Sequence, residues 1–308
     1  MTKRVVQSAH YVRTQRSGGN GARRWCGPFL FALFTLIGLA GSDACAEAVD
    51  GVDGLAMAGA FAAQVDKRLD VPEREQAAYA ARLDAALSAA GRADPAAQYV
   101  VLVDRSPAIQ ALFIYWRSPD RRWHFIGASP VSTGLPGTYD HFITPLGVFA
   151  HTTANMDFRA EGTRNELGVR GYGLQGMRIY DFGWVTADRG WGAGGRSEMR
   201  LQMHATDPDL LEPRLGQRHS KGCIRIPASL DRFIDQHGLL DADYELAAAH
   251  GQRAWVLSPD RAVTAYPGSY LVVVDSMAAA RPSWANWRAA RAKVPRAAAG
   301  ERASNAAC

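Results

Sequence analysis

Apolar positions divide the chain into two textures. Between Gly54 and Leu87 they recur every three or four residues. Ala58, Phe61 and Val65 share one face of a helix predicted over Gly54–Leu69. Pro72, Glu73 and Glu75 then open a second helix, Tyr79, Leu83 and Leu87 line its face, and Gly91 ends it. Both stripes are rich in alanine, so the pair is expected to pack on a larger body; a partner-binding arm is the alternative. From Gln98 the texture changes to short apolar runs: Tyr99–Val103, Ala111–Trp116 and Trp123–Ala128 read as strands, separated by Asp104-Arg105-Ser106-Pro107 and Ser118-Pro119-Asp120. Further strands are predicted at Gly147–His151, Arg178–Val185, Glu198–Met203, Trp255–Leu257 and Tyr270–Val274. A short helix is predicted at Ser229–His237, closed by Gly238. From Met277 the chain is expected to be loose, apart from a short amphipathic helix within Ser283–Val294. Many short strands with Gly- and Pro-rich turns predict a mainly β domain, a sandwich or barrel, behind a short helical segment.

Charge changes this picture only at the amino end. The sequence pI of about 9.1 suggests a polyanion ligand. Yet six of the 35 basic residues and one of the 30 acidic ones lie in the first 46, leaving 29 of each. The remainder is formally neutral and has no global field for nucleic acid. Within those residues a basic stretch ends at Arg23-Arg24. The apolar run Phe29–Ala40 follows, and Ala44-Cys45-Ala46 supplies small residues. This is the three-part pattern of a secretory signal, with cleavage expected after Ala46. The run is shorter than the roughly 20 residues of a spanning helix, so a retained anchor fits less well. A twin-arginine route, and a lipoprotein at Cys45, fit less well again. The expected location is the periplasm, with membrane contact only through the leader. Cleavage would leave Cys223 and Cys308. A disulfide between them is the structural alternative to a working thiol.

The candidate chemistry sits in Arg218-His219-Ser220-Lys221-Gly222-Cys223-Ile224-Arg225-Ile226-Pro227. A thiol that attacks an amide needs a base, donors for the developing oxyanion and a pocket. Gly222 permits a tight turn. The amides of Lys221, Gly222 and Cys223 are candidate oxyanion donors. Two histidines are candidate bases: His204, 19 residues upstream at the end of a predicted strand, and His219, four before the thiol. Spacing does not choose between them. No Cys-x-x-Cys or His-x-x-x-His pattern supports zinc, and no Gly-x-Ser-x-Gly elbow supports a serine triad.

Met203-His204-Ala205-Thr206 and Ser220-Lys221-Gly222-Cys223-Ile224-Arg225 together resemble the catalytic core of the L,D-transpeptidase (YkuD-type) family of bacterial cell-wall enzymes. Pro130-Val131-Ser132-Thr133-Gly134 and Thr144-Pro145-Leu146-Gly147-Val148-Phe149 are similar to two further segments of that family. The match spans about Gln98 to Glu245, and it departs from the family at Lys221, where histidine is usual. The resemblance implies an L,D-transpeptidase-like β-sandwich or barrel. It implies Cys223 as the acylated nucleophile and His204 as its base, oriented through the Ala205 carbonyl. Ser220 and Arg225 would hold the loop, with a substrate carboxylate as an alternative partner of Arg225. A lysine at 221 would help lower the thiol pKa. Tyr180, Trp184, Trp191, Met203 and His219 are expected around the substrate groove, with Gly190–Gly195 as a lid. The implied organisation is a leader at 1–46, a helical segment at 47–97, the catalytic domain at 98–258, and a strand with a mobile tail at 259–308. The implied activity is acyl transfer between peptidoglycan stem peptides, with no metal or other cofactor and with acylation by carbapenems. Hydrolysis, lipoprotein anchoring, and a wall-binding module that lacks catalysis are the alternatives.

Overall fold

The computed structural model describes residues 43–93 and 96–287; the predicted leader before 43 and Cys308 lie outside the described residues. Two helices, α1 (Asp43–Gln64) and α2 (Glu73–Ala89), precede the strands β1 (Gln98–Asp104), β2 (Ala111–Arg117), β3 (Trp123–Pro130), β4 (Gly147–Ala150), β5 (Phe158–Arg159), β6 (Arg178–Asp188), β7 (Arg196–Ala205) and β8 (Ile224–Ile226). Helices α3 (Ala228–His237) and α4 (Ala242–Ala249) and strand β9 (Tyr270–Val274) complete the order. The strands form two sheets, β3-β2-β1-β9-β4 and β5-β6-β7-β8. Pairing is antiparallel except for β1 with β9 and β7 with β8. The architecture is sheet-rich and mainly β.

The first sheet is covered on both faces, which is why its strands read as unbroken apolar runs. Every residue of β1 and β2 is buried. Tyr99, Val101, Val103, Leu112, Ile114 and Trp116 point into a core shared with the second sheet, α1 and α3. Val100, Leu102, Phe113 and Tyr115 point the other way, against Tyr79, Leu83 and Leu87 of α2. Tyr79 stacks on Phe113 with centroids 4.0 Å apart and donates its hydroxyl to Asp104 Oδ2 at 2.6 Å. Helix α1 ends at Gln64, five residues before its predicted end, and buries Met57 and Phe61, with Val65 buried just past its last turn. Gly127 of β3 makes room for it: a Cβ there would stand 2.3 Å from the Phe61 ring.

Three further expectations differ from the structure. Trp255–Leu257 forms no strand; it is a turn in which Val256 and Leu257 pack on Tyr244 while Trp255 stays exposed. The run is apolar because it closes a small satellite cluster, with no neighbouring strand to pair. Strand β9, placed after residue 258, lies between β1 and β4, so it belongs to the same sheet as the strands before it. Finally, the chain after Met277 is not loose through Trp287. Ser283–Ala285 form a 3-10 turn, and the buried Trp287 donates its indole N–H to the Leu215 carbonyl at 2.7 Å. The rest of the helix expected within Ser283–Val294 lies outside the described residues from 288 on. Among the described residues no helix is long and apolar enough to cross a membrane.

Candidate active site

The second sheet packs one face on the core and turns the other outward, partly under Tyr172, and strand parity decides which residues reach the chemistry. In β7, Met199, Leu201 and Met203 enter the core, so Arg200, Gln202 and His204 face outward. Strand β8 runs parallel to β7 with His204 level with Arg225 and Met203 level with Ile224. Ile224 and Ile226 enter the core, which leaves Cys223 and Arg225 on the outward face. Cys223 stands one residue ahead of the ladder, level with Gln202. His204 and Cys223 are thus diagonal neighbours on one face, a spacing of roughly 7–8 Å between Cα atoms that side chains can bridge.

The details give each residue a state. His204 is buried, and its Nδ1–H donates to the Ala205 carbonyl at 2.6 Å. A carbonyl only accepts, so the proton is on Nδ1 and the lone pair is on Nε2. Burial pushes the His204 pKa down to about 4, the Ala205 hydrogen bond opposes this, and Arg225 adds to the depression. The Cys223 thiol is partly exposed and free, with Sγ 3.8 Å from the Arg200 carbonyl. Burial among its neighbours raises its pKa, while the Gln202 amide and Arg225 oppose the rise. The resting pair is therefore a neutral thiol and a neutral imidazole.

Three loop segments hold the thiol in place. Ser220 Oγ accepts the Gly222 amide at 3.1 Å and donates to the Cys223 carbonyl at 2.5 Å. Thr144 Oγ1 donates to the Gly222 carbonyl at 2.7 Å and accepts the Gly134 amide at 2.9 Å. One hydroxyl thus joins the segments around Gly134, Thr144 and Gly222. Thr133 accepts the amides of His219 and Ser220 at 3.0 Å each. Gly222 lies at φ +133°, and a Cβ there would meet the Met199 side chain at 2.9 Å. Arg225 Nη1 donates to the His219 carbonyl at 2.8 Å, closing the loop from the other side.

The predicted site residues divide. Ser220, Gly222, Cys223 and Arg225 share one loop and the strand it enters, and His204 with Ala205 lies on the adjoining strand. His219 is half-buried at the flank, between Arg214 and Arg225. Lys221 turns away: its side chain is 63% exposed and pairs with Asp140 at 3.2 Å, so Arg225 is the cation beside the thiol. Tyr180 and Met203 do not line a groove, because both are fully buried on the core face. They are odd-parity neighbours of Asp181 and of His204, and β-strand alternation sends them inward. Trp184 does reach the open face, at 65% exposed and level with Arg200. A bulge between Asp181 and Trp184, with Gly183 at φ +79°, flips the parity that would otherwise have buried it. Trp191 packs edge-on against Phe142 at 4.8 Å, and its loop is tied to residues 137–141 by backbone hydrogen bonds. The Gly222 amide, expected as an oxyanion donor, is taken by Ser220.

Sequence inspection missed Tyr172, Asp181, Arg200 and Gln202. The Tyr172 ring meets His204 edge-on at 4.6 Å, its hydroxyl is 3.2 Å from Gln202 Oε1, and the charge of Cys223 raises its pKa after burial does. The buried Asp181 accepts Arg200 Nε at 2.7 Å and Gln202 Nε2 at 2.8 Å. The available signals were the glycines that flank Tyr172 and the even spacing of Arg200, Gln202 and His204. A cleft of about 500 Å³ opens beside Tyr172, lined also by Phe158, Arg164 and Asn165. Among the described residues no group of His, Cys, Asp and Glu is arranged to hold a metal ion. No protein-family model matches this chain, and no curated protein matches it.

Proposed function

We propose that the protein is an exported L,D-transpeptidase that acts on peptidoglycan stem peptides, with Cys223 as nucleophile and His204 as general base. The observation that carries the reading is the shared outward face of the second sheet. It bears a histidine whose Nδ1 is fixed on a carbonyl, a partly exposed thiol one diagonal away, and a loop joined through Thr144 to the two other segments that carry the resemblance. As Sγ attacks the carbonyl carbon of the third residue of a tetrapeptide stem, its proton passes to His204 Nε2 and a C–S bond forms. The C–N bond then breaks, and His204 returns that proton to the amine of the departing D-alanine. An amine of a second stem attacks the thioester and gives its proton to His204. The C–S bond breaks, and the thiol is restored with the proton from the imidazole. The amides of Lys221 and Cys223 serve the oxyanion, since that of Gly222 is engaged. The chemistry asks for no metal or organic cofactor, and carbapenems would acylate the same sulfur. A periplasmic location follows from the leader.

Incubation with purified muropeptides tests this. The expected products are D-alanine and cross-linked dimers. Trimmed tripeptide without dimers would make water the acceptor. Transfer to a lipoprotein lysine would make it an anchoring enzyme. The neutral resting pair favours one further reading, a wall-binding module without catalysis. Binding of muropeptides without release of D-alanine would select it.

A further inference from the structure

Trp255 is an exposed indole on a braced turn. It is 70% exposed, although the two residues that follow it, Val256 and Leu257, are buried against Tyr244. The Val256 carbonyl accepts Arg159 Nε at 2.9 Å, and Arg159 Nη2 donates to Asp235 Oδ1 at 3.1 Å. The turn is thus fixed to β5 and α3, while the indole is left in solvent. Trp255 borders a cleft of about 500 Å³ that Gln175, Arg232 and Ser258 also line. Gln175 and Arg232 are exposed, and their side chains make no hydrogen bond or ion pair among the described residues. Arg159 and Asp235, at the same cleft, neutralise each other. The cleft therefore offers one flat apolar face, an amide that donates and accepts, a guanidinium that donates, and the lone pairs of a hydroxyl.

We infer that this cleft is a saccharide subsite, in which the apolar face of a pyranose lies on the Trp255 indole and its polar rim meets Gln175, Arg232 and Ser258. A pyranose has a face of C–H groups and a rim of hydroxyls that both donate and accept. Its C–H groups are the positive ends that the negative face of an indole attracts. A few polar groups around an apolar platform then fix its orientation. A small anion would use one free guanidinium and leave the indole without a partner. An apolar peptide segment would cover the Gln175 amide and Arg232 without matching them. A polyhydroxyl ring matches both parts. The source of the sugar rests on the transpeptidase reading, which makes it the glycan of the same polymer; the saccharide cleft itself does not. Arg159 also borders the cleft beside Tyr172, whose ring meets His204. The two clefts adjoin at β5, so a glycan held at Trp255 keeps its stem peptides at a raised local concentration near the thiol.

Two measurements separate this inference from the reading beneath it. First, the β-1,4-linked tetramer of N-acetylglucosamine is titrated by calorimetry into the wild type, Trp255→Ala and Gln175→Ala, both exposed positions. The wild type should bind it. Trp255→Ala should weaken binding by about tenfold or more, and Gln175→Ala by about threefold. No binding by the wild type, or equal binding by Trp255→Ala, overturns the subsite. Wild-type dimers in sedimentation that Trp255→Ala dissolves, with no uptake of the tetramer, would make the indole a contact between copies and overturn it too. Second, D-alanine release is followed from intact peptidoglycan and from a free stem tetrapeptide, which carries no glycan. Trp255→Ala should slow release from the polymer by about fivefold or more and leave the free peptide unchanged. Equal slowing on both, or slowing on neither, overturns the subsite and leaves the transferase. Tetramer binding that depends on Trp255, with no D-alanine released from either substrate by the wild type, leaves the subsite and overturns the transferase.

Discussion

At the scale of single residues, the site is a thiol and an imidazole held neutral by the same burial. Cys223 is raised and His204 is lowered to about 4, so proton transfer between them at rest is uphill. In the proposed reaction transfer accompanies attack, when Arg225 and the oxyanion donors would meet developing negative charge. A stored thiolate–imidazolium pair, as some thiol enzymes keep, is not what these shifts favour. Alkylation of Cys223 by iodoacetamide should therefore be slow at neutral pH and rise steadily above the ordinary thiol range of about 8.5. A rate that is already at its plateau between pH 5 and 8 would contradict the neutral pair. Much of this site was legible in the sequence because its elements are local: Ser220, Gly222, Cys223 and Arg225 lie within six consecutive positions. Tyr172 was not, because it reaches His204 from a separate loop. Lys221 was misjudged because composition alone does not say which way an exposed ammonium turns.

At the scale of elements, alternation decides more than identity. Tyr180 and Met203 are the residue types a groove would use, yet each sits at the parity that feeds the core. Trp184 escapes the core only through the bulge at Gly183. A bulge is invisible in a single sequence, so the face of each residue past it was not legible. The helices were legible, because their apolar spacing matches the face they bury. Leu83→Ala in α2 should cost about 2–5 kcal/mol of unfolding free energy, since Leu83 is fully buried against the first sheet. Urea denaturation checks this; a loss below about 1 kcal/mol would mean that α2 does not cover that sheet under solution conditions. Helix α3 carries a second test. Asp231 is buried, its Oδ1 accepts the Arg178 amide, and burial followed by Asp235 raises its pKa to about 8. A carboxyl with a folded pKa above its unfolded value of about 3.9 stabilises the fold fully below that value. The contribution declines as pH rises and is gone above the folded pKa. Between pH 5 and 9 the wild type should thus lose stability relative to Asp231→Asn, whose side chain does not ionise. Parallel urea midpoints across that range would contradict the assignment.

At the scale of the whole molecule, the charge network and the two cores tie the site to the rest of the chain. The fully buried Arg178 of β6 pairs with Asp157 at 2.7 Å and with Asp241 at 2.7 Å, joining the second sheet to the segment before α4. Trp287 reaches back to Leu215 within the loop that leads to Cys223. The thiol loop is therefore braced by the turn between β1 and β2, where Arg218 donates to the Arg105 carbonyl at 3.3 Å, by the Thr144 segment and by the last described turn. No apolar period reveals such bracing, since it rests on hydrogen bonds between positions far apart in sequence. The formally neutral sequence beyond residue 46 fits a proposed substrate read by local groups. The central claim is that Cys223 carries the acyl group after His204 takes its proton. Intact-protein mass spectrometry after mixing with a stem tetrapeptide tests it most directly. The wild type should gain the mass of the peptide less D-alanine, His204→Gln should gain it at least about a hundredfold more slowly, and Cys223→Ala should gain none. A wild type that gains no mass, or a Cys223→Ala variant that still does, would contradict it.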